Sequence, residues 1–124
     1  MGDLSKDFSR AEFACKGEGC CGGSAPVDPR LVAGLQELRD MTGAMLVISS
    51  GFRCKTHNAK VGGAADSQHA LGKAADVLCP AGWTSERLAR MAEQVEAFRQ
   101  GGIGIYPGRI HVDVREGGPA RWRQ

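Results

Sequence analysis

The chain has 124 residues, and its 42% of apolar residues are enough to close one modest hydrophobic core. Its 16 basic residues against 14 acidic ones leave a net charge of +2, without the Lys/Arg block that is typical of a nucleic-acid-binding surface or a membrane anchor. No apolar run approaches the roughly 20 residues that a membrane span requires. We therefore expect one domain over residues 1–124, a monomer with no nucleic-acid partner and no membrane span.

The N-terminal segment, residues 1–27, is rich in Cys and Gly, and we expect it to pack as an extension on the rest of the domain. Phe8 and Phe13 flank a short predicted helical turn in this segment, where packing is their expected role. Residues 1–6 lack the apolar segment of a secretory signal. We therefore expect either synthesis in the cytoplasm or removal of an export signal before this sequence begins.

The first long helix is predicted from Asp28, its N-cap, through Pro29 in the first helical position to Gly43, which ends it. Its apolar residues recur at the spacing of one buried face: Leu31, Val32, Leu35 and Leu38. Met45–Ile48 then predicts a short buried strand. Residues 49–72 are polar and glycine-rich, and so long a loop is uncommon in a compact domain unless it builds a site or is ordered by a ligand.

The second half of the chain predicts a strand, a helix and a hairpin. Lys73–Leu78 alternates as a strand does, and a helix begins near Thr84 or Ser85 and continues to the Gly101-Gly102 pair. Ile103–Tyr106 and Arg109–Val114 are predicted as two strands joined by a Pro-Gly turn. The expected fold is therefore α+β, a small antiparallel sheet with flanking helices.

Side-chain alternation in the last predicted strand separates a core face from a polar face. Ile110, Val112 and Val114 point one way, into the core. The side chains expected on the opposite face are Arg109, His111, Asp113 and Arg115.

The five cysteines, Cys15, Cys20, Cys21, Cys54 and Cys79, are an odd number and cannot all pair within the chain. A disulfide from the first cluster to Cys54, or a second, structural metal site, is conceivable. The spacing lacks two CxxC knuckles, which argues against structural zinc.

Two histidines and an aspartate, His69, Asp76 and His111, fall on the predicted site-forming loop and on strands. Two imidazoles and a carboxylate suit a catalytic zinc ion, because three protein ligands leave the fourth tetrahedral position for water. Spacing alone is weak evidence, since the three residues would also serve as ordinary loop and strand polar groups.

Several motifs, in order, resemble the zinc D-Ala-D-Ala carboxypeptidase family, which shares its fold with the hedgehog signalling domain. They are Ser50-Gly-Phe-Arg53, Asn58 with Val61-Gly-Gly63, the S-x-H-x-x-G-x-A-x-D segment from Ser67 to Asp76, and Tyr106-Pro107 with Ile110-His-Val-Asp-Val-Arg115. The resemblance implies a zinc peptidase acting on D-amino-acid-containing peptides of peptidoglycan, as a D,D-carboxypeptidase or an endopeptidase. The small size and absent signal would also suit a phage lysin that reaches the cell wall by another route.

The resemblance also implies roles for single residues. The zinc ligands fall on His69, Asp76 and His111, and the arginine that holds a substrate carboxylate falls on Arg53, whose alternative is a salt bridge to Asp66 or Asp76. Ser67 is expected to contact substrate or to brace the loop, and Tyr106 to stabilise the oxyanion or to pack.

The general base of the family is not found at its usual place, because Gly108 and Arg109 precede the last predicted ligand. Asp113 is the nearest substitute for that base, and its alternative role is to accept the ring N–H of a ligand histidine or to pair with Arg109 or Arg115. The missing base also keeps open a non-catalytic zinc-containing binding module of the same fold.

Overall fold

The computed structural model describes residues 2–64 and 67–124. Five strands form one sheet in the order β1-β2-β4-β3-β5: β1 (Val47–Ser50), β2 (Ala74–Leu78), β3 (Gly102–Tyr106), β4 (Arg109–Asp113) and β5 (Ala120–Arg123). Neighbouring strands run antiparallel, except that β3 and β5 run parallel. This mostly antiparallel sheet with helices confirms the predicted α+β class.

In residues 2–64 and 67–124, four α-helices and two 3-10 turns accompany the sheet: α1 (Pro29–Thr42), α2 (Lys55–Lys60), α3 (Ser85–Ala92), α4 (Glu96–Arg99) and the turns Arg10–Phe13 and Gln68–Leu71. The predicted first helix is confirmed. The Asp28 side chain accepts a hydrogen bond from the backbone N–H of Arg30, and Gly43 ends the helix at φ 66°. Within the described residues, no helix has the length and apolar content that crossing a membrane would need.

The hydrophobic core lies between one face of the sheet and helices α1, α3 and α4. Ala75, Val77, Ile110 and Val112 are fully buried on that face, as the alternation predicts. The rings of Phe8 and Phe13 belong to the same core, so the N-terminal segment packs against the rest of the chain.

Two predictions about the elements were wrong in detail. The strand expected at Met45–Ile48 is displaced to Val47–Ser50 and is an edge strand whose Val47 is half exposed, whereas Met45 lies outside it. The single helix expected after Thr84 divides into α3 and α4, because Val95 leaves the helical conformation and is buried. The short helix α2 and the strand β5 were not predicted.

Candidate metal centre

One row of residues crosses the sheet on the face opposite the helices. Asp76 on β2 lies directly opposite His111 on β4, which lies opposite Gly104 on β3, which lies beside Trp122 on β5. The register therefore fixes Asp76 and His111 as neighbours, since side chains directly opposite each other on one face of an antiparallel pair are in contact range.

His69 reaches this row from the 3-10 turn that precedes β2. The Ser67 hydroxyl accepts a hydrogen bond from the backbone N–H of His69, and Gly72 ends the turn in the left-handed region at φ 72°. The ring Nδ1 of His69 lies 2.7 Å from the carbonyl oxygen of Gly51. Because a carbonyl oxygen only accepts, Nδ1 carries the proton and Nε2 keeps a lone pair directed at Asp76.

His111 has the opposite tautomer, which Asp113 fixes. Its Nε2 lies 2.7 Å from the Asp113 carboxylate, and its Nδ1 lies 3.3 Å from Oδ1 of Asp76. An ionised carboxylate only accepts, so Nε2 donates to Asp113 and the lone pair of Nδ1 faces the cluster. Both histidines are buried, and their rings meet edge to face with centroids 5.1 Å apart.

His69, Asp76 and His111 thus place three potential metal ligands within 4.8 Å of one another. Oδ1 of Asp76 lies 3.3 Å from Nε2 of His69 and 3.3 Å from Nδ1 of His111. Histidines that bind metals characteristically donate their other ring N–H to a carbonyl or a carboxylate, as His69 does to Gly51 and His111 does to Asp113. The donor set and its hydrogen-bond partners therefore fit a zinc ion with one open coordination position.

The electrostatics of the cluster favour the ionised form of its carboxylate. Burial alone would raise the pKa of Asp76, but the adjacent imidazoles of His111 and His69 outweigh it and hold that pKa well below the ordinary carboxyl range. For His111, burial lowers the pKa of the imidazole, whereas Asp113 and Asp76 raise it by more, so the net shift is upward. Metal binding at this cluster competes with protonation of His111, because a metal-binding imidazole nitrogen must be unprotonated.

Asp113 lies behind His111 and not at the open side of the cluster. It is fully buried, and its oxygens accept hydrogen bonds from His111, from the backbone N–H of Gly102 and from Arg115. A Cβ atom at position 102 would lie 2.3 Å from Oδ2 of Asp113, so glycine is required there. This geometry matches the alternative role predicted for Asp113, acceptor of a ligand histidine's N–H, and does not support the general-base interpretation.

An open cleft of about 550 Å³ lies in front of the cluster. Arg53, which follows β1, lines it, and the buried guanidinium Nε of Arg53 has no hydrogen-bond partner in the described part of the chain. Burial lowers the pKa of Arg53, whereas Asp76 and Tyr106 raise it by less. The alternative role of Arg53, a salt bridge to Asp76, is not observed, since Arg53 forms no salt bridge among the described residues. Asp66, the other partner considered, lies outside the described residues.

Ser67 and Tyr106 also line the cleft. The Ser67 hydroxyl accepts from the His69 backbone and lies 3.5 Å from a terminal nitrogen of Arg53, so it braces the turn beside the arginine. The Tyr106 hydroxyl accepts a hydrogen bond of 2.7 Å from Nε1 of Trp122, which leaves its own proton to donate.

Trp122, Arg109 and Arg115 were not predicted as site residues, yet all three line the cleft. The ring of Trp122 lies 4.9 Å from that of His111, and the guanidinium of Arg109 lies over the ring of Tyr106. Arg115 pairs with Asp113 at 2.7 Å, one of the two pairings considered from the sequence. Alternation in the last strand could have placed both arginines here, whereas Trp122 lies on a strand that the sequence did not reveal.

The sequence was compared with models of known protein families. A family model described as Peptidase M15 matches residues 6–113, which include His69, Asp76 and His111. A comparison with curated protein sequences found no match. Because the family match covers most of the chain, the protein belongs to the M15 peptidases, a family of zinc-dependent metallopeptidases.

Proposed function

We propose that the protein hydrolyses D-amino-acid-containing peptides of peptidoglycan at the bacterial cell wall, as a D,D-carboxypeptidase or a murein endopeptidase. One observation carries the proposal: the cluster of His69, Asp76 and His111 opens onto a cleft that holds the unpartnered guanidinium nitrogen of Arg53. A metal centre beside a carboxylate-binding cation is the arrangement that cleavage near a peptide's carboxylate requires.

In this proposal zinc is held by Nε2 of His69, Oδ1 of Asp76 and Nδ1 of His111. When bound, zinc supplies Lewis acidity that polarises a carbonyl group and activates water near neutral pH. The residues around it keep both imidazoles in the required tautomers, through Gly51 for His69 and Asp113 for His111. The three ligands lie on a strand pair and a capped turn, so the site is preorganised.

Arg53 anchors a carboxylate of the substrate in this proposal. A guanidinium presents a planar fork that matches a carboxylate, and the buried Nε of Arg53 lacks the partner that such a ligand would supply. Arg109 and Arg115 add positive charge to the same cleft, whose one described carboxylate side chain is that of Asp76. Stem peptides of peptidoglycan carry free carboxylates, and this charge would attract them.

Tyr106, Ser67 and Asp113 have supporting roles in this proposal. The proton of the Tyr106 hydroxyl is available to an oxygen that becomes negative during cleavage, because the hydroxyl accepts from Trp122. Ser67 holds the His69 turn, and Asp113 holds His111. The preference for D-amino acids rests on the motif resemblance.

A second candidate function is a non-catalytic binding module that retains the metal. Among the described residues that line the cleft, Asp76 has the only carboxylate side chain, and Asp113 is buried behind His111. The cleft therefore lacks, within the described part of the chain, a second carboxylate side chain to accept a proton from water. This observation favours recognition of a muropeptide without cleavage.

Digestion of defined muropeptides separates the two candidates. Zinc-loaded protein would be incubated with stem peptides that end in D-Ala-D-Ala and with cross-linked dimers, and products would be identified by mass spectrometry. We expect products that disappear with a chelator, return with zinc and are absent from His111→Ala. Release of D-Ala would indicate a carboxypeptidase, and separation of dimers an endopeptidase. Folded, zinc-loaded protein that binds these peptides but yields no product would support the binding module instead.

A further inference from the structure

Four of the five cysteines meet at one point although Cys54 is distant from the others in the sequence. The sulfur atoms of Cys15, Cys20, Cys21 and Cys54 all lie within 4.8 Å of one another. All are free thiols, and the Cys15–Cys20 and Cys20–Cys21 sulfur separations are both 3.9 Å. Cys79 lies elsewhere, 3.4 Å from the Ser85 hydroxyl.

These separations match a tetrahedral metal site. With a zinc–sulfur bond of about 2.3 Å, two sulfurs of a regular tetrahedron lie about 3.8 Å apart. A disulfide would need about 2.05 Å. The two separations of 3.9 Å are therefore close to those of thiolates around one ion, and all four sulfurs lie within 4.8 Å of one another.

Backbone hydrogen bonds and a close glycine contact fix the loop that carries Cys15, Cys20 and Cys21. The backbone N–H of Cys15 donates to the carbonyl of Ser24, which closes the loop, and the Ser24 hydroxyl donates to the carbonyl of Cys21. A Cβ atom at Gly17 would lie 2.6 Å from the sulfur of Cys20, so the loop folds tightly against that thiol. Only glycine allows this close approach.

Cys54 is the one residue of the cluster that lies outside the N-terminal segment. It is the N-cap of α2, and its sulfur accepts a hydrogen bond of 3.4 Å from the backbone N–H of His57. Backbone N–H donors stabilise a negatively charged sulfur. The preceding residue is Arg53, whose backbone N–H donates to the carbonyl of His69.

We propose that Cys15, Cys20, Cys21 and Cys54 bind a second, structural zinc ion. Four protein ligands leave no open coordination position, which separates this site in kind from the three-ligand centre at His69, Asp76 and His111. The ion fastens the N-terminal loop to the segment that carries Arg53. The absence of CxxC knuckles argued against such a site, but the fold brings Cys54 to the loop and so supplies the fourth thiolate.

Metal analysis tests the proposal without any assay of activity. Protein purified under reducing conditions and loaded with zinc is expected to hold two zinc ions per chain. His111→Ala should retain one ion, and Cys21→Ser should retain one ion at the other centre. Cys79→Ser is the matched control and should retain two. One ion in the wild type, lost completely in His111→Ala, would overturn the proposal.

Cobalt substitution of the wild-type protein covers the case in which the cysteine variants fail to fold. Cobalt in a four-thiolate site gives intense sulfur-to-metal charge-transfer absorption, which a site of nitrogen and oxygen ligands does not give. We expect this absorption in the wild type and in His111→Ala. Its absence from both, or a thiol titration of the chelated, unfolded wild type that shows disulfides in place of five thiols, would refute the site.

The second ion also has a consequence for Arg53, and this consequence rests on the proposed function. Cys54→Ser should raise KM for muropeptides, because the segment that carries Arg53 loses its attachment. A zinc content that fits the proposal with no hydrolysis in any variant would refute the peptidase activity but not the cysteine site.

Discussion

The Asp113 carboxylate accepts hydrogen bonds from Gly102, His111 and Arg115, which leaves it poorly suited to proton transfer. Burial raises its pKa, but the hydrogen bonds with His111 and Arg115 lower it by more, and the net pKa lies well below the ordinary carboxyl range. A carboxylate with so low a pKa is a weak base at neutral pH. We therefore infer that Asp113 positions His111.

Asp113→Asn separates positioning from base catalysis. We expect zinc affinity to fall about 10- to 100-fold, because an amide does not hold the His111 tautomer as a carboxylate does. Hydrolysis should return towards the wild-type rate when zinc is saturating. The measurement is rate against free zinc concentration, and a rate that stays lost at saturating zinc would identify Asp113 as the base.

Arg53→Gln tests carboxylate recognition. We expect KM for a muropeptide to rise roughly 10- to 100-fold, the cost of losing hydrogen bonds to a charged group, while zinc content stays unchanged. Arg53→Lys is the matched variant, since it keeps the charge but loses the fork and should recover part of the affinity. An unchanged KM in Arg53→Gln would mean that the arginine has only a structural role.

For single residues, the sequence predicted which side chains form the cluster but not which of them face the cleft. Alternation placed His111 and Asp113 on one strand face, and both are there. It could not show that Asp113 turns towards His111 and away from the cleft, because that depends on Gly102 and Arg115. Those contacts come from another strand and from the end of β4.

The strand β5, which was not predicted from the sequence, contributes Trp122 to the site. It pairs parallel with β3 and places Trp122 against Gly104, where a Cβ atom would lie 2.3 Å from Nε1 of the indole. The absence of a side chain at Gly104 lets the indole reach the ring of His111 at 4.9 Å. This strand lies outside the residues that the family model matches.

Gly104→Ala should therefore disturb the site through Trp122. We expect a loss of about 1–3 kcal/mol in the free energy of unfolding, as for other overpacked sites. In the double variant with Trp122→Leu the second loss should be smaller than in the wild-type background, because the clash is gone. Urea denaturation of the four proteins measures this, and strictly additive losses would contradict the assigned contact.

Elements with strong local signals were predicted correctly, whereas elements that depend on distant contacts were not. α1 has a capping Asp28, Pro29 and a terminal Gly43, so its bounds could be read directly. α2 is a six-residue helix capped by a cysteine, and its sequence has no apolar stripe. Only the surrounding fold stabilises such a short helix.

The buried charges of the whole molecule should give the metal-free protein a stability that depends on pH. The pKa values of Asp76 and Asp113 are lowered in the folded state, so both stabilise it above their ordinary value of 3.8. That stabilisation is lost as the pH falls through the lowered values. The pKa of His111 is raised above 6.5, so its contribution is present below 6.5 and is lost as the pH rises through the raised value.

Urea denaturation of the chelated protein from about pH 3 to about pH 9 checks this dependence. We expect the free energy of unfolding to decrease on the acid side below about pH 4 and to do so less steeply in Asp113→Asn. Equal acid slopes in the two proteins would show that Asp113 contributes nothing to the effect. The difference between the two proteins isolates this carboxylate from the other titrating groups.

At the scale of the whole molecule, the sequence motifs predicted the fold class and the family, and both are confirmed. The single-domain organisation and the monomeric state remain predictions. The meeting of four cysteines could not be predicted, because it requires the N-terminal loop to lie against the start of α2. The contact is tertiary: Phe8 and Phe13 lie in the core, and the backbone N–H of Phe52 donates to the carbonyl oxygen of Phe13.

We propose that zinc at His69, Asp76 and His111 drives cleavage of muropeptides. This role of the metal is tested by the rate of hydrolysis while zinc is returned stepwise to the chelated protein. We expect no hydrolysis without metal, a rate that rises and then saturates as zinc binds, and no rise in His111→Ala. A rate that is independent of zinc, or full activity of His111→Ala, would show that the metal at this cluster does not drive the reaction.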